Sequence, residues 1–240
     1  MNINQYGQQL GCALPDWQPA QPFPRSQLTG QYCTLSILDS LHADALYQAF
    51  AVAEDDRDWT WLGAQKPSSL SGMLAWIAEK SQDQGLVSYA VIDNKTQQAV
   101  GVVCFANTET TNGITEIGHV TWSPLMQRTV FGTEALYLLL QHAFALGYRR
   151  VAWRCDSTNV NSRRAAERIG FIYEGRFRQA MTRKQRNRDT DWFSVIDGDW
   201  PAIDRALTAW LSGTNFTPEG KQKKSLATLF SRPSADSEQQ

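Results

Sequence analysis

The sequence predicts a mixed α/β domain organised on one mostly antiparallel central sheet with helices on both faces. Two observations carry that prediction. Short runs of β-type alternation follow one another through hairpin-sized turns. One stretch of 3.6-residue periodicity, Ala135 to Leu146, then leads directly into another strand-like run. The order is β-α-α-β-β-β-α-β-α-β-β with no internal repeat, so a single β-α-β crossover is expected, not a doubly wound array. The chain is large enough for this, since 240 residues at 42% hydrophobic content include nine Trp, ten Phe and seven Tyr.

Each element has its own local cause. Residues 1–30 carry Pro15, Pro19, Pro22 and Pro24 and read as an extended arm. Tyr32 to Leu38 alternates as a first strand. Asp39 or Ser40 caps a helix to about Ala53, with Leu41, Ala45, Leu46 and Ala49 on one face. An acidic loop, Glu54 to Pro67, precedes a second helix from Ser69 to Gln82 that groups Leu70, Met73, Leu74 and Ile77. Leu86 to Ile92 and Ala99 to Ala106 flank the hairpin turn Asp93-Asn94-Lys95-Thr96-Gln97. Thr115 to Trp122 follows Asn112-Gly113, and Gly147 closes the periodic helix. Val151 to Cys155 is a strand, and Ser162 to Ile169 a short helix ended by Gly170. Phe171 to Thr182 and Thr190 to Ile196 form a last hairpin, and a final helix runs from near Pro201 to about Ser212. The domain therefore spans 31–212, between the arm (1–30) and a polar tail (213–240) in which Leu226, Leu229 and Phe230 are the anchors.

Composition removes several function classes. No run approaches the roughly 20 apolar residues of a membrane helix, so no membrane partner is expected. Met1-Asn2-Ile3-Asn4-Gln5 carries no secretory pattern, and Cys12, Cys33, Cys104 and Cys155 form no C-x-x-C pair. Reduced, packed thiols and a cytoplasmic location are the expectation. His42, His119 and His142 lack ligand spacing with the thiols, so no metal is expected. The net charge of −1 hides an asymmetry: residues 149–188 hold twelve Lys or Arg against Asp156, Glu167 and Glu174, a segment of +9, which leaves −10 on the rest.

Two segments could carry chemistry. In Glu116-Ile117-Gly118-His119-Val120-Thr121-Trp122-Ser123-Pro124 and Gln127-Arg128-Thr129-Val130-Phe131-Gly132-Thr133-Glu134-Ala135, a strand passes through a polar turn into a helix. Such a turn offers free backbone N–H groups and the positive helix end, a site for pyrophosphate. An ordinary strand–loop–helix junction has the same pattern. The second segment, Asp156-Ser157-Thr158-Asn159-Val160-Asn161-Ser162 through Arg168-Ile169-Gly170-Phe171, clusters polar residues at a strand end, where caps and turns explain them equally well. A Ser or Cys nucleophile is disfavoured, because no G-x-S-x-G occurs and no Cys has a nearby His in the sequence.

Together the two segments resemble the GNAT acyl-CoA N-acetyltransferase superfamily, and within it the ribosomal-protein N-terminal acetyltransferase (RimJ/RimL-like) branch. That family's loop reads R/Q-x-x-G-x-G/A before a helix that often starts T-E-A; here Gln127, Val130 and Gly132 take those positions before Thr133-Glu134-Ala135. Its later N-x-x-S…L-G-F element matches Asn159, Ser162 and Ile169-Gly170-Phe171. Val130 departs from the pattern by replacing the loop's first glycine, which brings β-branching to a backbone position that tight cofactor contact depends on.

The resemblance implies a GNAT fold in which two parallel strands, Glu116–Trp122 and Val151–Cys155, splay apart around the cosubstrate acetyl-CoA. The cofactor contacts it implies are Val120, Trp122, Gln127, Arg128, Thr129, Val130, Phe131, Gly132, Thr133, Asn159 and Ser162. The implied reaction is direct attack of an amine on the thioester through a tetrahedral oxyanion, stabilised by a backbone N–H such as that of Val120. Glu116 and His119, then Asp156, are the candidate bases; alternation puts Glu116 and His119 on opposite faces, so at most one serves. The tyrosine acid common in the family is replaced in this helix by Ala165 and Ala166, leaving Ser162 and Ser123 as substitutes.

The amine acceptor, a small molecule or a protein N-terminus, is expected at the acidic loop. There Asp58 and its acidic neighbours attract a cation and Trp59 and Trp61 stack on it; a solvated loop with anchored tryptophans is the alternative. The basic final hairpin (Arg176, Arg178, Arg183, Lys184, Arg186, Arg188) is a solvated face or a ribosome or RNA contact. The rival function is accordingly a GNAT-shaped RNA- or ribosome-binding protein with little transferase activity. The arm and tail could also reach a second copy in a homodimer.

Overall fold

A computed structural model describes residues 2–230; the last ten residues of the expected tail, 231–240, lie outside the described residues. The arm opens with a small hairpin of β1 (Asn2–Ile3) and β2 (Gln9–Leu10). It then runs along the domain: Trp17 Nε1 donates to the carbonyl of Thr111, and Phe23 stacks flat on Phe105 and Tyr148, with ring centroids at 3.8 and 4.6 Å. β3 (Leu28–Thr29) brings it to the edge of the main sheet, beside β4 (Cys33–Ile37).

Both expected helices after β4 form, but they bury different faces, and the cap at Asp39 belongs to a 3₁₀ turn ahead of the first. Asp39 accepts from the Leu41 N–H and opens a 3₁₀ turn, Ser40–His42, before α1 (Ala43–Ala51). The tighter turn shifts the helical phase of α1. Ala43, Leu46, Ala49 and Phe50 face inward, while Leu41 stays 89% exposed. In α2 (Leu70–Gln82), Ser69 Oγ accepts from the Gly72 N–H. Met73, Trp76 and Ile77 are buried, and the Trp76 indole takes the inward position expected of Leu70 and Leu74, which remain 40% exposed.

The meander β5 (Leu86–Asp93), β6 (Ala99–Glu109) and β7 (Ile114–Trp122) is antiparallel throughout. Its alternation builds both faces of the core. Tyr89, Val91, Val103 and Phe105 point towards α3 (Val130–Ala145), while Ala90, Val102 and Cys104 meet Leu46, Phe50 and Trp76 of α1 and α2. The crossover through α3 lays β8 (Arg150–Asp156) parallel to β7. α4 (Val160–Ile169) follows, closed by Gly170 at φ +108, the left-handed position that glycine tolerates. The hairpin of β9 (Ile172–Arg183) and β10 (Arg186–Ile196) completes the eight-stranded sheet in the order β3-β4-β5-β6-β7-β8-β10-β9. α5 (Trp200–Leu211) packs beside α3, and the segment beyond it is tied down by buried Asn215, which bonds to Trp210 and Lys224, before α6 (Leu226–Phe230).

The single parallel pair is short. β7 and β8 are in register only at Ile114–Arg150, Thr115–Val151 and Glu116–Ala152. Beyond Glu116, β7 stays with β6 and β8 stays with β10, so the two strands part and leave a cleft in the middle of the sheet.

One buried carboxylate holds the sheet edge to the crossover helix. Glu134, in the second turn of α3, accepts the backbone N–H groups of Gln31, Tyr32 and Cys33, each at 2.7 Å. Gly30 is required beside it, because a Cβ there would lie 2.5 Å from the carboxyl carbon. Glu134→Ala strands three inward-facing donors, so we expect a loss of about 3 kcal/mol. At the roughly 2–4 °C per kcal/mol usual for this size, thermal unfolding would show a Tm lower by about 6–12 °C.

Candidate active site

The cleft between the parted strands has a volume of about 1750 Å³. Its floor on one side is the turn from β7 into α3. The Ser123 carbonyl accepts the N–H groups of Met126 and Gln127, Arg128 adopts φ +60, and Thr129 caps α3 by accepting from the Phe131 N–H. The left-handed position of the loop thus falls on Arg128. Val130 is the first helical residue, where a β-branched side chain incurs little cost, so the departure from the family's glycine does not strain this loop. Gly132 opens directly onto the cleft: among the described residues, and apart from its own helix backbone and chain neighbours, a Cβ placed there meets only Trp122 Nε1 within 4 Å, at 3.6 Å.

Other loop residues are committed to the framework. Gln127 Nε2 donates to Asp58 at 2.7 Å and to the Trp122 carbonyl. The Phe131 side chain packs on the core, and Thr133 Oγ1 is buried and accepts from Arg168 Nη1 at 2.8 Å. Exposed Arg128 lines this wall and exposed Arg164, on the following helix, lines the cleft as well; neither pairs with an acid among the described residues. The first-turn N–H groups of α3, two cations and an open glycine fit a polyanionic ligand.

The turn from β8 into α4 forms the opposite wall. Asp156 Oδ1 accepts from both the N–H and the hydroxyl of Thr158. Asn159 caps α4 by accepting from the Ser162 N–H, and Ser162 Oγ accepts from Trp153 Nε1 at 3.0 Å. Asp156, Asn159 and Ser162 all reach the cleft, whereas Ser123 is fully buried and does not line it.

Glu116 and His119 both line the cleft, although simple alternation places them on opposite faces. The reason is a β-bulge. Gly118 faces Cys104 and Thr121 faces Val102, so His119 and Val120 together oppose Val103, with His119 at φ +53. The extra residue resets the alternation.

Glu116 sits at the fork where the strands part. Its Oε2 takes Arg154 Nε at 2.6 Å and Asn107 Nδ2 at 2.9 Å. Burial raises its pKa above the usual carboxylate value, and Arg154 and Asn107 only partly oppose the rise. Lys80 Nζ lies 3.1 Å from His119 Nδ1. Desolvation in the cleft, then the Lys80 and Arg183 cations, push the imidazole pKa down to about 4. The ring is therefore neutral at pH 7. An ammonium donating to Nδ1 leaves the proton on Nε2, which then donates and cannot act as a base.

The acidic loop closes over the cleft in a way that local sequence does not reveal. Trp59 is 2% exposed and packs edge-on against Phe50 and Trp76, inside the core rather than against an acceptor. Trp61 Nε1 donates to Thr158 Oγ1, while Asp58 receives Gln127 and Asp55 clamps Arg57. Lys184 Nζ, from the β9–β10 turn, donates to the Trp59 carbonyl. The basic hairpin is likewise largely engaged: Arg176 binds Asp191, and Arg183 and Arg188 line the cleft. Sequence reasoning missed Lys80, Arg154, Arg183 and Arg188 as cleft residues. Arg183 and Arg188 stood out only as members of a charge run, and Lys80 carried no signal within its helix.

Comparisons with known proteins agree with this geometry. Residues 34–172 match the model of the acetyltransferase (GNAT) domain. A GCN5-related N-acetyltransferase from Brucella melitensis is 40% identical with a TM-score of 0.88, covering 90% of this chain and 99% of that one. A structure described as a probable GNAT-family acetyltransferase from Chromobacterium violaceum is 39% identical with a TM-score of 0.75, covering 81% and 98%. The microcin C7 self-immunity acetyltransferase MccE, in complex with acetyl-CoA and AMP, shares the fold at 20% identity and TM-score 0.61, covering 70% and 93%. A search of curated proteins found no match.

Proposed function

The chain belongs to the GNAT acetyltransferase family, and on that premise we propose that it transfers an acetyl group from acetyl-CoA to a primary amine, on a small molecule or a protein N-terminus, by direct attack on the thioester. The observation that carries the proposal is the parting of β7 from β8 beside the N-terminus of α3, where Gly132 opens onto the cleft. Bound acetyl-CoA supplies an activated acyl carbonyl. The N–H groups of Val130 and Gly132, which the Thr129 cap on Phe131 leaves over, would hold its phosphates together with Arg128 and Arg164. Asn159 and Ser162 flank the opposite side of the slot. The Val120 N–H, at the bulge, is the donor for negative charge developing on the carbonyl oxygen.

Glu116 is the base in this scheme. Its Oε2 is held by two donors, while Oε1 has no bonded partner among the described residues and can receive a proton directly or through one water. A raised carboxylate pKa makes it a stronger proton acceptor. His119 serves as a positioning group, because Lys80 already occupies its Nδ1, and Asp156 holds the β8–α4 turn through the two bonds that its Oδ1 accepts from Thr158. The narrower RimJ/RimL-like placement rests on the loop and N-x-x-S motifs, and a cytoplasmic location on the free, mostly buried thiols.

The test is acetyl-CoA binding together with CoA release across an amine panel. A cosubstrate at about 100 times its Kd stabilises the folded state by about 2.7 kcal/mol, which we expect to see as a Tm rise of roughly 5–11 °C. Amine-dependent CoA release should accompany it. No shift and no release, with salt-sensitive RNA binding instead, would overturn the transferase function.

A further inference from the structure

The acceptor side of the cleft is lined by cations that form no ion pair with a carboxylate among the described residues, although the charges of Asp156 and Glu116 act on Arg188 at longer range. Arg188 is only 9% exposed, its Nε donates to Thr190 Oγ1, and it pairs with no acid among the described residues. Arg183, at the end of β9, reaches across to Gly63 in the loop over the cleft; Nη1 would lie 3.3 Å from a Cβ there. Lys80 is half-buried over the Trp76 ring and meets His119. The four groups come from α2, β7 and the β9–β10 hairpin, and all line the cleft.

Nearby acids are committed elsewhere. Glu116 is held by Arg154, Asp156 by Thr158 and Asp58 by Gln127, while Asp191 takes Arg163 and Arg176. Glu79 is at the rim and exposed, and its field and that of Asp83 reach Lys80 across solvent. Arg183 also acts on both Arg188 and His119, so the cations repel one another within the empty pocket. Burying unpaired like charges is costly, and a folded chain retains such an arrangement where a ligand supplies the counter-charge. The phosphates of the cosubstrate have their own cations, Arg128 just before α3 and Arg164 within α4.

We propose that the acceptor is an amine that also carries an anionic group, a carboxylate or a phosphate, and that Lys80, Arg183 and Arg188 bind that group beside His119. This rests on the acetyltransferase function proposed above and names its acceptor class. Guanidinium forks match either anion in a two-point contact. The anchored anion leaves the amine free to approach Glu116 at the fork. In the loop that sequence alone marks as a cation attractant, Asp55 pairs with Arg57 and Asp58 accepts from Gln127.

Matched acceptors decide it in the full-length protein: α-amino acids against their amides, phosphoethanolamine against ethanolamine, and spermidine as a cationic control. We expect kcat/KM at least about tenfold higher for the anionic member of a pair. Whether the carboxylate or the phosphate pair shows it identifies the anion. In Arg183→Gln and Arg188→Gln the preference should collapse through KM, with the acetyl-CoA-induced Tm rise retained in the less buried Arg183 variant as the check on folding. Equal or better use of the neutral amines or spermidine, a preference that survives both substitutions, or acetyl-CoA binding with no anionic amine acetylated would each overturn the inference. Loss of the acetyl-CoA shift in the unmodified protein would overturn the transferase function instead.

Discussion

Glu116→Gln is expected to lower kcat/KM by about 10²- to 10⁴-fold, the usual contribution of a positioned general base, while acetyl-CoA still raises the Tm. The amide keeps the size of the side chain and an oxygen for Asn107, but it cannot accept a proton at neutral pH. The pH profile sharpens the test. A base works only when ionised, so activity falls as pH drops through the folded-state pKa of Glu116. Burial raises that pKa above 4.5, so the acid limb should lie above the ordinary carboxylate range and vanish in the glutamine variant. The same shift bears on stability with the opposite sense. A carboxylate with a raised folded pKa binds its proton more tightly when folded, so its contribution weakens as pH rises from the unfolded value through the folded one. An unchanged rate and an unchanged acid limb in Glu116→Gln would remove Glu116 as the base. Arg154 loses its counter-charge in this variant, so the Tm without ligand must be measured alongside.

Gly132→Phe should abolish the acetyl-CoA-induced shift, and Gly132→Ala should separate binding from stability. A methyl at this position meets only Trp122 Nε1 at an ordinary 3.6 Å, so the fold does not require glycine there. In a helix, alanine is favoured over glycine by about 0.5–1 kcal/mol, and the unliganded Ala variant should unfold at an equal or higher temperature. Its acetyl-CoA Kd should nevertheless rise, because the added methyl occupies the space a phosphate needs beside the helix N–H groups. Phenylalanine has nowhere to go except into the cleft. Titration calorimetry with acetyl-CoA reads both variants, and full binding by Gly132→Phe would place the cosubstrate elsewhere.

Much of the site was legible because its signals are local. The cap at Thr129, the cap at Asn159 and the left-handed Gly170 each depend on residues within about three positions of one another. The +9 segment also proved informative, since Arg163 and Arg176 pair with Asp191, Arg164 lines the cleft, and Arg183 and Arg188 turn into it. What local pattern could not show was direction. The inward faces of α1 and α2 were displaced by a 3₁₀ turn and by a single large indole. Trp59 belongs to the core because Phe50 and Trp76 come from two other elements to meet it.

By itself the sequence determined the order of the main elements from β4 through α5, the single crossover and the loop that opens α3, but not the short strands of the arm or α6, since periodicity, capping and turn chemistry act over a few residues. Only the tertiary structure decided which of those side chains share the cleft. The bulge at His119 exists against Val103 of the neighbouring strand, and it turns His119 to the side of Glu116. Lys80 reaches that histidine from 39 residues away, and Glu134 meets the Gln31 backbone across 103. Contacts at such separations depend on how the sheet parts and which helix covers it, and those are properties of the packed chain rather than of any window within it.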